Sequence, residues 1–140
     1  MSSLEELELN GNKLDHISEN AFNLLSKSDS TLFLYLQSNM LNSTSFAIDS
    51  FTQFNRPTIV YLSGNNITYL EQHIFEPFFK LHDENIIDYW NINCDDCRSY
   101  WAFSNFKYYN RVKDIKCRNG NMFTDAKNFV NCSTQKIKIY

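Results

Sequence analysis

Three glycines and two prolines stand in 140 residues. That is too few for a flexible linker or a low-complexity chain. No apolar run reaches the roughly 18 residues that a membrane-spanning helix needs. The opening stretch MSSLEELELN has neither a basic n-region nor an apolar h-region, so it does not read as a signal peptide. Basic clusters are missing too: 13 Lys and Arg face 16 Asp and Glu, for a formal net charge of −3. That balance argues against a nucleic-acid partner, which needs a basic face. His16, His73 and His82 are far apart in sequence, and there is no nucleophile–base spacing, phosphate loop or metal motif. Asp95 and Asp96 are adjacent carboxylates that read as solvated. Asp83, Glu84 and Asp88 lack the loop spacing calcium requires. Neither an enzyme nor a cofactor is expected.

What the chain does have is a spacing that returns. LEELELNGNKL reads as L-x-x-L-x-L-x-x-N-x-L, filled by Leu4, Leu7, Leu9, Asn12 and Leu14. Thr31, Leu34, Leu36, Asn39 and Leu41 fill a second copy, and Pro57, Val60, Leu62, Asn65 and Ile67 a third. The asparagines recur at steps of 27 and 26, and a further step of 26 lands on Asn91, with Ile86 and Asp88 as degenerate upstream slots. Residues two apart on a strand face the same side, so the leucine pairs point inward. Asn12, Asn39 and Asn65 fall where the chain must turn. Their amides can satisfy backbone groups that water does not reach, and should stack as a ladder. Between the strands, Ile17, Ala21, Phe22 and Leu25, then Phe46, Ile48, Phe51 and Phe54, then Leu70, Ile74, Phe75 and Phe78 read as the apolar inner side of a return path. Only the second of these looks less than helical.

This pattern resembles the leucine-rich repeat family over residues 1–90. The resemblance implies an α/β solenoid of three to four coils, with a parallel sheet on the concave side and a short helical or irregular convex side.

Four cysteines fall at 94, 97, 117 and 132. A zinc site would want a second close pair. A redox C-x-x-C would want a strand before it and a helix after it. Two structural disulfides are the third reading. The context NINCDDCRSYWAF followed by IKCRNGNMFTDAKNFVNC is similar to the cysteine-flanked C-terminal cap of extracellular leucine-rich repeat proteins, with C-x-x-C where the family usually has C-x-C. That resemblance implies the pairs Cys94–Cys117 and Cys97–Cys132, in a cap over 91–132 followed by a tail at 133–140. The spacing of Cys117, Gly120, Phe123, Asp125, Phe129, Asn131 and Cys132 is similar to arthropod secreted repeat proteins that carry the label of a luciferase (oplophorus-luciferin 2-monooxygenase) non-catalytic subunit.

Aromatics make up 16% of residues, and most lie from Phe75 onward. Trp90, Tyr100, Trp101, Phe103, Phe106, Tyr108 and Tyr109 are expected to cover the end of the last repeat, from a helix over 98–109. Paired cysteines imply an oxidising compartment. The sequons at Asn42, Asn66 and Asn131 agree, with Asn42 and Asn66 the better placed for glycans. An extracellular or secreted protein is therefore expected, as the C-terminal part of a longer repeat protein. Its first strand would otherwise be an open edge able to pair with another copy.

The outward strand positions are Glu6, Glu8 and Asn10, then Phe33, Tyr35 and Gln37, then Ile59, Tyr61 and Ser63. Aromatics side by side on a solvated strand face are favoured at protein interfaces. The expected role is binding a protein partner on the concave face, through Glu6, Glu8, Phe33, Tyr35, Ile59 and Tyr61. The alternatives are a structural piece that closes a longer solenoid, and a fragment of a Toll-like receptor ectodomain, which would require a membrane span shortly after the cap.

Overall fold

The computed structural model describes residues 4–23, 28–89, 92–113, 116–117 and 132. Leu25, Trp90, Asn91, Asn131 and the tail 133–140, named above, lie outside them, as do Gly120, Phe123, Asp125 and Phe129. Among the described residues, five strands run in chain order across one sheet: β1 (Glu6–Glu8), β2 (Leu32–Tyr35), β3 (Thr58–Tyr61), β4 (Ile86–Asp88) and β5 (Val112–Lys113). Each pairs in parallel with the next. A parallel neighbour needs a long crossover, and the return segments supply it. The longest helix, α1 (Gln72–Leu81), lies in the crossover from β3 to β4. After β4 come a 3-10 turn (Cys97–Ser99), α2 (Tyr100–Ser104) and α3 (Phe106–Tyr109).

The leucine spacing explains the inner face. Leu7, Leu34, Val60, Ile87 and Val112 stand opposite one another in register. Leu34, Val60 and Ile87 are fully buried, whereas Leu7, at the edge, is only partly covered. Across the core a chain of aromatic rings runs from Phe22 through Phe51, Phe78 and Phe79 to Trp101 and Tyr108, with centroids 5.4–6.1 Å apart. Within α1 the buried residues are Ile74, Phe75, Phe78 and Phe79, one stripe at helical spacing. The Trp101 indole N–H donates to Leu70 O at 2.8 Å, fastening α2 to the crossover beneath it.

The structure corrects five expectations. In the fourth strand, Ile86 and Asp88 point outward; Ile87 and Tyr89 take the inner positions. A frame offset of one residue inverts every side chain of a strand, and the pairing of Val60 with Ile87 sets this one. Ile92, three residues after Tyr89 as Asn65 is three after Leu62, is buried there. In the second crossover Phe46, Phe51 and Phe54 are core, but Ile48 is 55% exposed; Ala21 of the first crossover is exposed as well. The 98–109 segment is not one helix. It breaks at Asn105, whose side chain caps α3 by accepting from the Lys107 N–H at 3.0 Å. Phe106, just after the break, is 83% exposed and covers nothing. The fifth strand is an addition to the expected architecture; at two residues it carries no periodic signal.

Disulfides join Cys94 to Cys117 and Cys97 to Cys132, the pairs that the resemblance implies, across sequence separations of 23 and 35. A loop of that length removes about 3–4 kcal/mol of denatured-chain entropy per bridge. A Cys97→Ala, Cys132→Ala double variant is expected to lose about that much in urea denaturation, with the m-value rising because its unfolded chain is less compact. Intact mass should show the wild type gaining four protons on full reduction and the variant two.

Candidate functional site

The open face of the sheet is built by register. Because parallel strands stack equivalent residues, the outward positions form rows across the strands. One row is Glu6, Phe33, Ile59 and Ile86; the next is Glu8, Tyr35, Tyr61, Asp88 and Lys113. Phe33, Tyr35, Ile59, Tyr61, Ile86 and Asp88 are half-buried, while Glu6, Glu8 and Lys113 are exposed. Tyr35 and Tyr61 stack with ring centroids 4.9 Å apart and planes 8° from parallel. Such a pair contributes about 0.5–1.5 kcal/mol beyond its area, so part of the aromatic content of this face stabilises the sheet itself.

Burial raises the Tyr61 hydroxyl above the usual phenol range, and the neighbouring Tyr35 and Asp88 charges push it the same way. A phenol whose pKa is raised by folding contributes stability below the unfolded pKa and loses it as pH climbs through the folded one. Tyr35→Phe keeps the packing and removes a charge. It should therefore bring the Tyr61 titration, read by ring carbon chemical shifts, part of the way back down.

Of the three asparagines, Asn39 and Asn65 join one strand end to the one before it, whereas Asn12 bonds only within its own turn. Asn39 accepts from the Leu14 N–H at 3.0 Å and donates to Leu9 O, Leu36 O and Gln37 O. Asn65 accepts from the Leu41 N–H at 3.0 Å and donates to Leu36 O and Leu62 O. Asn12 donates to Leu9 O and Asn10 O. Leu9 O and Leu36 O are thus each shared between two consecutive asparagines. Asn12 is exposed and Asn39 is 8% exposed.

Three polar residues that periodicity did not mark do similar work at the strand starts. Arg56, nearly fully buried, donates to Ser30 O, Leu4 O and Ser30 Oγ at 2.7–3.0 Å. Asn85 accepts from the Thr58 N–H and donates to Phe78 O. Arg111 donates to Asn85 O, Phe79 O and His82 O, and burial lowers its pKa. A lone Arg or Asn before a strand looks like a surface residue in sequence, so nothing there revealed this role.

The remaining candidates are dispersed. His16 and His73 are exposed, and His73 and His82 lie beside Glu71 and Glu84. Asp95 is exposed. The Asp96 carboxylate is held low: burial would raise it, but hydrogen bonds and charge from Arg98 outweigh burial. Asp83 and Glu84 are exposed residues before β4, whereas Asp88 belongs to the sheet face. Among the described residues no group of three or more His, Cys, Asp or Glu is placed to hold a metal. Nor is any helix among them long and apolar enough to cross a membrane. A cleft of about 520 Å³ lies among Phe79, Lys80, Asp83, Lys107, Tyr108 and Arg111. The Arg111 fork is largely spent there on the carbonyls that end α1. The sequon residues Asn42 and Asn66 are both exposed. No family model, curated protein or solved structure matches this chain.

Proposed function

We propose that this chain is a non-catalytic, extracellular protein-binding module of leucine-rich repeat type, its strands lining the concave side of a short solenoid closed by a disulfide-bonded cap. The single observation that carries the reading is the continuous outward surface of Phe33, Tyr35, Ile59, Tyr61 and Ile86 across three adjacent strands. A solvated sheet face is ordinarily polar, and a contiguous apolar and aromatic patch marks an interaction site. The recurring inner leucines and the shared asparagine bonds support the repeat reading, and with it the likeness to secreted arthropod repeat proteins. Two disulfides support an oxidising compartment.

Glycan acceptors fit the same compartment. Asn42 is exposed, and its side-chain oxygen accepts from the Thr44 N–H at 2.9 Å and from the Thr44 hydroxyl at 2.7 Å, which does not engage the amide nitrogen that a glycan would take. Deglycosidase treatment of the secreted protein should remove mass, and Asn42→Gln with Asn66→Gln should abolish that loss.

At the β1 edge Leu7, Leu9 and Leu14 are only partly covered. A further strand, from upstream repeats or another copy, would add there. The test of the binding role is Tyr35→Ser with Tyr61→Ser. A partner isolated from extracellular fluid on the wild-type chain should bind this variant at least tenfold more weakly, while both disulfides remain formed. Equal binding would reject the face.

A further inference from the structure

The open face carries its own charge pattern. In the row Glu8, Tyr35, Tyr61 and Asp88, a stacked tyrosine pair is bracketed by carboxylates on both flanking strands, with Glu6 beside Glu8. Among the described outward strand positions, Lys113 beyond Asp88 is the one cation against these three acids. Aromatic faces and carboxylates both attract cations, and the guanidinium group satisfies both at once: it stacks flat on a ring and forks onto a carboxylate.

Among the described residues the chain builds that arrangement within itself. The Arg98 guanidinium carbon lies 3.5 Å from the centre of the Tyr69 ring. The same group forks onto Asp96, with Nε 2.9 Å from Oδ1 and Nη2 bonding Oδ2. At Tyr69 a tyrosine and a carboxylate are completed by an arginine. At Tyr35 and Tyr61 no cation among the described residues lies over either ring, and Glu6 and Glu8 make no ion pair with any described residue.

We infer that the partner of this face presents an arginine-bearing apolar segment, its guanidinium groups seated against the Tyr35–Tyr61 pair and the Glu6 and Glu8 carboxylates, its apolar side chains on Phe33, Ile59 and Ile86. This rests on the binding role proposed above and names the chemistry of what is bound. A second copy of this chain is disfavoured as the occupant, because two faces that each carry three acids and one cation at the described strand positions repel. Lysine-bearing segments satisfy the charge but not the planar stacking, and bind more weakly.

The test uses the whole disulfide-bonded chain carrying ¹³C-tyrosine and three capped pentapeptides: Leu-Arg-Leu-Arg-Leu, its citrulline analogue, which keeps the planar group without the charge, and its glutamate analogue. The arginine peptide is expected to shift the Tyr35 and Tyr61 ring signals in a saturable way. Its affinity should fall about fivefold or more in Glu6→Gln with Glu8→Gln, and fall again with added salt. If the citrulline or glutamate peptide shifts the same signals equally well, the cationic chemistry is overturned and the face stands as a binding surface of another kind. If none of the three peptides shifts them, the inference is overturned. Loss of native partner binding in Tyr35→Ser with Tyr61→Ser then decides separately whether the binding role survives.

Discussion

Replacing Asn39 by alanine is expected to lower stability by about 3–5 kcal/mol, while the same change at Asn12 should cost under about 1 kcal/mol. Both residues occupy the same slot of the same sequence pattern. Asn39, however, is 8% exposed and satisfies the Leu14 N–H together with carbonyls of Leu9, Leu36 and Gln37. Alanine orphans the Leu14 N–H in a place water reaches poorly, at about 1–3 kcal/mol, and takes one donor from each of the three carbonyls, at about 0.5–1.5 kcal/mol apiece. The carbonyls of Leu9 and Leu36 keep a second donor from Asn12 and Asn65, and that of Gln37 keeps the Gly11 N–H, which holds the total below a simple sum. Asn12 is exposed, and water replaces its amide. Urea denaturation of the two variants separates these cases. With a slope of about 1.5–2 kcal/mol per molar for a domain of this size, the Asn39 midpoint should drop by about 2 M and the Asn12 midpoint by under about 0.6 M. Equal midpoints would show that the amides are turn residues without a role in joining strands.

Phe51→Ala is expected to be as severe, at about 3–5 kcal/mol, and Ile48→Ala nearly silent, within about 0.5 kcal/mol. Phe51 is completely buried. Its ring meets those of Phe22, Phe46, Phe54, Phe75 and Phe78 at centroid distances of 5.6–6.4 Å. Removing it opens a cavity at the centre of a cluster whose rings belong to three successive crossovers, and these cannot all move in together. A native stability of about 5–15 kcal/mol leaves little margin after such a loss. Ile48 lies three residues away, but its side chain is in solvent. Thermal and urea midpoints of the two variants check the contrast. A large loss at Ile48 would place that side chain against the core after all.

Sequence and structure parted at particular residues. The inner positions of β1, β2 and β3 were legible because Leu7 and Leu9, Leu34 and Leu36, and Val60 and Leu62 repeat a two-residue spacing that only one strand face can use. At the fourth strand the step of 26 between asparagines points to Ile86 as the inner residue, one out of frame, because Ile86 and Ile87 are equally apolar. Pairing with Val60 fixes the frame, and pairing is a contact between distant residues. In the second crossover four apolar residues competed for the core. The irregular path from Asn42 to Phe54 turned Ile48 out, which spacing alone could not foresee. On the open face, the rows of Glu6 with Phe33 and Ile59, and of Glu8 with Tyr35 and Tyr61, followed from the period. Their extension to Ile86 and Asp88 did not, and Asp88 is what brackets the tyrosine pair on the far side.

By itself the sequence determined the strands of the first three repeats, the asparagine positions between them and the rows of side chains facing out, because those features depend only on spacing along the chain. The tertiary structure alone decided the frame of β4, the existence of β5, the burial of Arg56 and Asn85, the break at Asn105 and the stacking of Tyr35 on Tyr61. Each depends on which groups meet across the fold: a carbonyl in need of a donor, a ring with room beside it, or a strand edge with a neighbour to pair. Local periodicity holds no information about those meetings.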